Sequence, residues 1–435
     1  MRTLNWTLVA GLVFAAAAIL PVAAEAPAAS QAGAPLSAAE ATALAKRVAS
    51  DVELLRGATF KHAVPVKVID DAAARRYFET RLGKLLPRER LAAEASAYTL
   101  LGLLPAGVDL DKLLFDLLEE QAGGFYDPES ETFFVLSDMP AAVGPILVAH
   151  ELTHALDDQI YQIDAKLAGV LGDADRENAL SAVIEGSGTV VMTAFMFQEM
   201  SEGRLAFDAL LEMQKTEAGR AEKLKAAPPF LQRSLLGPYV LGASFLLRGN
   251  LAGFVQKVPA TDIDRAFMQP PVSTEQILHP EKYWGAEPPD LPLPVPLPDL
   301  SSTLGGGWTR LGEGTLGEMI LALLTGSTAI DPTSLDAALA AQWTNDGASG
   351  WGGDRWALFG RGRQRILVLG TIWDTEKDAS EFVAALKLPA DAKIERRGTA
   401  VALVAGDTSG RADRLLAETL AALAPAPAAG GVKGR

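Results

Sequence analysis

Apolar positions along the chain recur in two rhythms, and their alternation lays out the elements. Residues 37–56 carry apolar side chains at helical spacing, and "HAVPVKVID" then alternates in the manner of a strand. Two helical stretches follow, ending near "LGLLP" and in "LDKLLFDLLEEQ". "GGFYDPESETFFVLS" reads as strand, turn, strand, with Asp127-Pro128-Glu129-Ser130 as the turn and Phe133 to Leu136 as the return. A helix is predicted directly afterwards, with Pro145 suited to its first turn. Long helical stretches are expected over about 175–224, and the proline-rich run "AEPPDLPLPVPLPDL" at 286–300 closes this region. Beyond it the pattern predicts helices at about 314–324 and 331–343, strands near 355–360 and 364–372, a helix at 377–387, a strand near 399–405 and a helix at 411–424. The glycines of "GWGGDRWALF" are expected to make a tight turn before a strand; no Lys-Ser/Thr and helix follow to make them a phosphate loop.

These elements predict an α+β protein. A mainly helical domain at 37–285 carries a short sheet, a proline-rich linker spans 286–304, and a small accessory α+β domain fills 305–425. Residues 27–36 and 426–435 have the composition of flexible ends. The first 26 residues read as an export signal: Arg2 supplies the positive charge, Leu8 to Ala24 is almost wholly apolar, and small residues flank the candidate cleavage sites. That apolar run of about 17 residues is broken by Pro21 and falls short of the roughly 20 a bilayer span needs. The expected location is therefore the periplasm or the secreted space, with no stable span after cleavage; an uncleaved N-terminal anchor is the alternative.

Composition narrows the chemistry. Over 435 residues the formal charge is −15, which argues against nucleic acid and against charge-driven docking on anionic lipid. There is no cysteine, so disulfides, a thiol nucleophile and thiolate metal ligands are excluded. Any metal has to be held by His, Asp or Glu.

Of the four histidines, two stand four residues apart in "PILVAHELTHALDDQ". On a helix His150 and His154 are about 40° apart around the axis and one turn along it, so both imidazoles reach one ion. Glu151 sits at the edge of the same face, within reach of a water at that ion, as in the HExxH pattern of zinc hydrolases. A catalytic zinc wants a third protein ligand. Glu185 is the one charged residue in "ALSAVIEGSGTVVMTAFMF", and a carboxylate alone in such a stretch must be paired, protonated or bound to metal. Glu177, the rival, lies in the polar helix start "DADREN", where acids suit the helix dipole.

His150-Glu151-x-x-His154 followed by Glu185-Gly186 on a second helix resembles the gluzincin type of zinc metallopeptidase, and in particular the peptidase-MA-like exported bacterial proteins with "HEL-x-HAL-x-DQ" and a later "EG". The likeness covers about residues 55–285 and takes in "GFYDP", "PYVLG" and "PPVSTEQILHPEKY". It implies peptide-bond hydrolysis of a peptide or protein substrate, with Zn2+ on His150, His154 and Glu185 and Glu151 as general base. Some gluzincins carry an acid four positions after the third ligand to orient a ligand histidine; Thr189 stands there, which passes that task to Asp157 or Asp158. An oxyanion donor is needed as well, and Tyr239 and His279 are the candidates, while His62 is expected to be structural. The strand at Phe133 to Leu136 is expected to be an edge along which peptide binds, with Phe125 and Tyr126 lining the cleft. The alternative to a peptidase is a zinc-stabilised binding or scaffold protein with a vestigial site. Oligomeric state is not legible in the chain.

Overall fold

A computed structural model describes residues 36–85, 88–119, 123–139, 144–208, 221–250, 257–285 and 288–423. The expected export signal, nearly all of the 27–36 stretch, the 426–435 tail and part of the expected 175–224 helical run lie outside the described residues.

The architecture is α+β. The first described element is α1 (Ala38–Arg56), whose N-terminus is closed by a reciprocal Ser37–Glu40 capping box and whose C-terminus ends on Gly57 at φ 71°. Next come β1 (Val66–Ile69), α2 (Asp71–Leu85), α3 (Arg88–Leu101) and α4 (Leu110–Glu119). The hairpin of β2 (Gly124–Asp127) and β3 (Thr132–Leu136) leads into α5 (Gly144–Tyr161), the helix that carries His150 and His154. Asp127 caps the hairpin turn by accepting from the amides of Glu129 and Ser130. In the sheet β3 is central, parallel to β1 on one side and antiparallel to β2 on the other. The expectation that β3 is an edge is therefore overturned. Pairing with the distant β1 occupies its free side, and the edge beside α5 is β2.

Behind α6 (Ile163–Ala168) runs α7 (Ala174–Ser201), buried on nearly every face and packed against α1 and α5. Among the described residues α7 is the one helix long and apolar enough to cross a bilayer, and its apolar window is 89% buried inside the body. It is a core helix here. After α8 (Glu222–Ala226), α9 (Pro229–Leu246) crosses α7 at a contact that only glycine permits: a Cβ on Gly186 would stand 2.5 Å from the Gly242 carbonyl carbon. Short helices α10 (Ala260–Met268), α11 (Thr274–Leu278) and α12 (Glu281–Trp284) complete this part.

The C-terminal stretch adds α13 (Ser301–Leu304), β4 (Thr309–Gly314), α14 (Gly317–Leu324), α15 (Leu335–Leu339), β5 (Trp351–Arg361), β6 (Gln364–Trp373), α16 (Glu376–Ala385), β7 (Lys393–Arg397), β8 (Ala400–Gly406) and α17 (Ala412–Leu423). Its five strands form an antiparallel sheet in the order β4-β5-β6-β8-β7. Leu358, Leu367, Leu369, Val401 and Leu403 share a core cluster with the helical part, which runs from Ala41 to Ala405. Their sequence neighbours Ala357, Phe359, Ile366, Val368, Ala402 and Val404 meet α17 on the other face. Burial of both faces makes β6 and β8 continuous apolar runs. The polar edges β4 and β7 escaped the sequence reading, and their polarity is what keeps an edge from pairing with other chains. The expected helix at 331–343 is shorter, confined to Leu335–Leu339.

The "GWGG" glycines act differently from expectation. Gly350, at φ 78°, makes the turn, but Gly352 and Gly353 lie inside β5 at a bulge. There the proline-rich segment docks: Leu293 N donates to Gly352 O at 2.6 Å, and a Cβ on Gly353 would be 2.5 Å from Leu293 O. These two glycines make room for a strap.

Candidate metal centre

Helix α5 is buried from Gly144 to Gln159 almost without interruption, which puts its polar residues in the interior. His150 and His154 are 0% and 4% exposed and Glu185 is 0% exposed. His154 Nε2 lies 2.9 Å from His150 Nε2, and Glu185 Oε2 lies 3.2 Å from the first histidine and 3.3 Å from the second. A tetrahedron with metal–ligand bonds of about 2.05 Å has edges of about 3.3 Å, so the three atoms already stand near the spacing one ion requires. Without an ion the donor set is poorly satisfied, since Glu185 Oε1 and both Nδ1 atoms have no hydrogen-bond partner. Burial by itself would raise the Glu185 carboxyl; the facing His154 and His150 hold it below its usual range. These residues could hold a metal ion.

Gly188, one turn beyond Glu185, lets α7 lie directly on a ligand: a Cβ there would be 2.6 Å from His150 Cε1. Glu151 points beside the triad and is 3% exposed. Its Oε2 accepts from the backbone amide of Tyr126 at 2.8 Å, so the edge strand β2 fixes the orientation of this carboxylate. Burial pushes Glu151 up to about 7, against the opposing pull of His150 and the Tyr126 amide.

The two oxyanion candidates separate. Tyr239 of α9 stacks on His150, centroids 5.9 Å apart, and its Oη is buried beside Glu185. Burial first, then the charge of Glu185, pushes this phenol well above its usual range. His279 has a different partner, Glu318 of α14, at 2.9 Å from Nε2. That hydrogen bond raises the imidazole above its ordinary value. His279 thereby joins α11 to the C-terminal part.

The rival ligand Glu177 pairs with Arg90 at 3.1 Å and accepts from Gly172 N, so Glu185 and not Glu177 joins the histidines. Neither aspartate after the motif orients a ligand histidine. Asp157 accepts from Arg56 and Ser187, and Asp158 accepts from Tyr126 Oη at 3.0 Å. Thr189 is buried with Oγ1 unpartnered. Phe125 packs among Tyr77, Phe78 and Phe134 in the core. His62 is half-exposed beside Glu131. A second acidic group, Glu275, Asp290 and Asp374, already surrounds the Lys282 ammonium at 2.6–3.1 Å.

Sequence reasoning missed the Tyr126 amide, because a backbone donor carries no signature, and Arg56, whose partners are more than a hundred positions away.

Fold and site together define an α+β protein with a buried two-histidine, one-carboxylate group able to hold a metal ion. A family model described as a domain of unknown function (DUF8575) matches residues 304–416, from the end of α13 into α17. The matched stretch leaves the metal group outside it. No curated protein and no solved structure matches the chain.

Proposed function

We propose that this chain is an exported, zinc-dependent metallopeptidase of gluzincin type. The observation that carries the reading is the convergence of His150 Nε2, His154 Nε2 and Glu185 Oε2 within 3.3 Å of one another, with a carboxylate beside them that is not part of the set. A site built only for stability has no use for that carboxylate and tends to close with four ligands. The ion, when bound, would supply an acidified water and a Lewis acid for the scissile carbonyl. Glu151, oriented by the Tyr126 amide, takes the proton of the attacking water and hands it to the departing amine. Tyr239 Oη, buried next to His150 and Glu185, donates to the developing oxyanion. The substrate strand adds to the β2 edge, in a space outside the cytoplasm. The DUF8575 part supports α9, since Arg233 donates to the carbonyls of Gln342 and Trp343 and Gln232 accepts from Ile330 N.

One observation favours a second reading. Every group of the triad is at most 4% exposed, as a zinc-stabilised binding or scaffold protein with a vestigial site would have it. Metal analysis and a peptide-library digest, run on wild type and Glu151→Gln, separate the two. Zinc in both proteins with cleavage only by wild type supports the peptidase, and zinc without cleavage in either supports the scaffold.

A further inference from the structure

A polar group outside the metal set also joins the two ligand-bearing helices. Asp157 lies one turn beyond His154 on α5, fully buried. One of its oxygens accepts from Arg56 Nε at 2.9 Å and the other from Ser187 Oγ at 2.6 Å. Ser187 stands two residues beyond Glu185 on α7. Arg56, the last residue of α1, is 0% exposed, and its Nη2 donates to Asp264 of α10 at 2.8 Å. Tyr161, at the end of α5, donates to the same Asp264 oxygen at 2.6 Å, and the guanidinium carbon lies 6.0 Å from its ring. One carboxylate thus ties α5 to α7, and one guanidinium ties that carboxylate to α1 and α10.

A buried ion pair is a poor device for net stability, because desolvating both charges offsets most of their attraction. Its directional bonds do fix how packed elements sit against one another. Here the fixed elements are the two that must hold Nε2, Nε2 and Oε2 near the edges of one tetrahedron, and metal affinity is sensitive to the groups that orient ligands. We propose that Arg56, Asp157 and Ser187 are positioning residues for the metal centre, holding Glu185 of α7 in register with the histidines of α5. The inference rests on the metal reading above.

The test measures zinc affinity by competition against a chromogenic chelator, on the full chain, with near-UV circular dichroism and melting temperature recorded for each variant. Ser187→Ala cuts the α5–α7 tie and leaves the ion pair. Arg56→Met combined with Asp157→Asn removes both charges together, so that no unpaired charge stays buried. Asp262→Asn, on α10 but outside the network in an ion pair with Arg248, is the control. Zinc binding about 10- to 100-fold weaker in Ser187→Ala and in the double variant, with the control within about 2-fold of wild type, is expected. A merely structural role would lower melting temperatures and leave the affinity of the folded protein unchanged, and that result overturns the proposal. Should the double variant not fold, Ser187→Ala decides alone. Wild type that binds no zinc removes the metal centre itself, and the proposal with it; wild type that binds zinc beside folded variants of equal affinity removes only the proposal.

Discussion

Replacing Gly188 by alanine sets two effects of opposite sign against each other. In a helix interior alanine is better than glycine by about 0.8–1.0 kcal/mol, so by propensity alone the change stabilises α7. The added Cβ, however, would stand 2.6 Å from His150 Cε1, 2.8 Å from Nδ1 and 3.0 Å from Nε2. Ordinary contact begins near 3.4 Å, so ring and helix have to separate by about 0.8 Å, well outside the roughly 0.2 Å tolerance on metal–ligand distances. His150 also stacks on Tyr239, which limits its retreat. Overpacking of this kind costs about 1–3 kcal/mol, enough to cancel the propensity gain in the metal-free protein and to leave its melting temperature level or lower. The larger effect falls on the ion. Zinc affinity is expected to drop by about 10- to 100-fold, or about 1.4–2.8 kcal/mol, and the stabilisation that saturating zinc gives wild type shrinks in step. Chelator competition and thermal melts with and without zinc read both quantities. Gly188→Ala that is more stable than wild type and binds zinc equally well would show that α7 does not press on His150 as described.

Glu151→Gln should keep zinc and fold while hydrolysis falls by about 100-fold or more, measured as zinc content and peptide cleavage; equal cleavage refutes the general-base role. Tyr239→Phe should lower turnover by about 10- to 1000-fold at unchanged zinc content, whereas His279→Gln, whose contacts are to Glu318 and Glu281 and not to the triad, should leave turnover intact; the reverse pattern would reassign the oxyanion donor. Glu185→Gln should strip the metal and Glu177→Gln should not. The second change also tests linkage: burial pushes the Glu177 carboxyl from 4.5 up to about 7, so the folded chain holds a proton that the unfolded chain has lost. Its contribution then falls as pH rises from about 4.5 to about 7, and denaturant titrations of Glu177→Gln should show a flatter pH dependence than wild type.

What the chain determines by itself is what local geometry carries. Two histidines four apart need only a helix to face one ion, and the apolar stretch around them supplies the helix. Glu185 was legible because an isolated carboxylate among apolar residues has few outlets, and Glu177 was set aside because its neighbours are polar. The hairpin from Phe125 to Leu136 and the buried strands β6 and β8 were legible for the same reason, since period and turn residues act within a few positions. Only the tertiary structure decided that β3 is the central strand, because pairing with β1 joins segments some 67 positions apart in register, Val66 to Phe133, and leaves no trace in either pattern. It also decided that the Tyr126 amide holds Glu151, that His279 meets Glu318 instead of the triad, and that Gly352 and Gly353 make room for the strap at Leu293. Each of these is a contact between residues distant in sequence, chosen by packing of the whole chain, and backbone donors and absent side chains have no residue type by which to announce it.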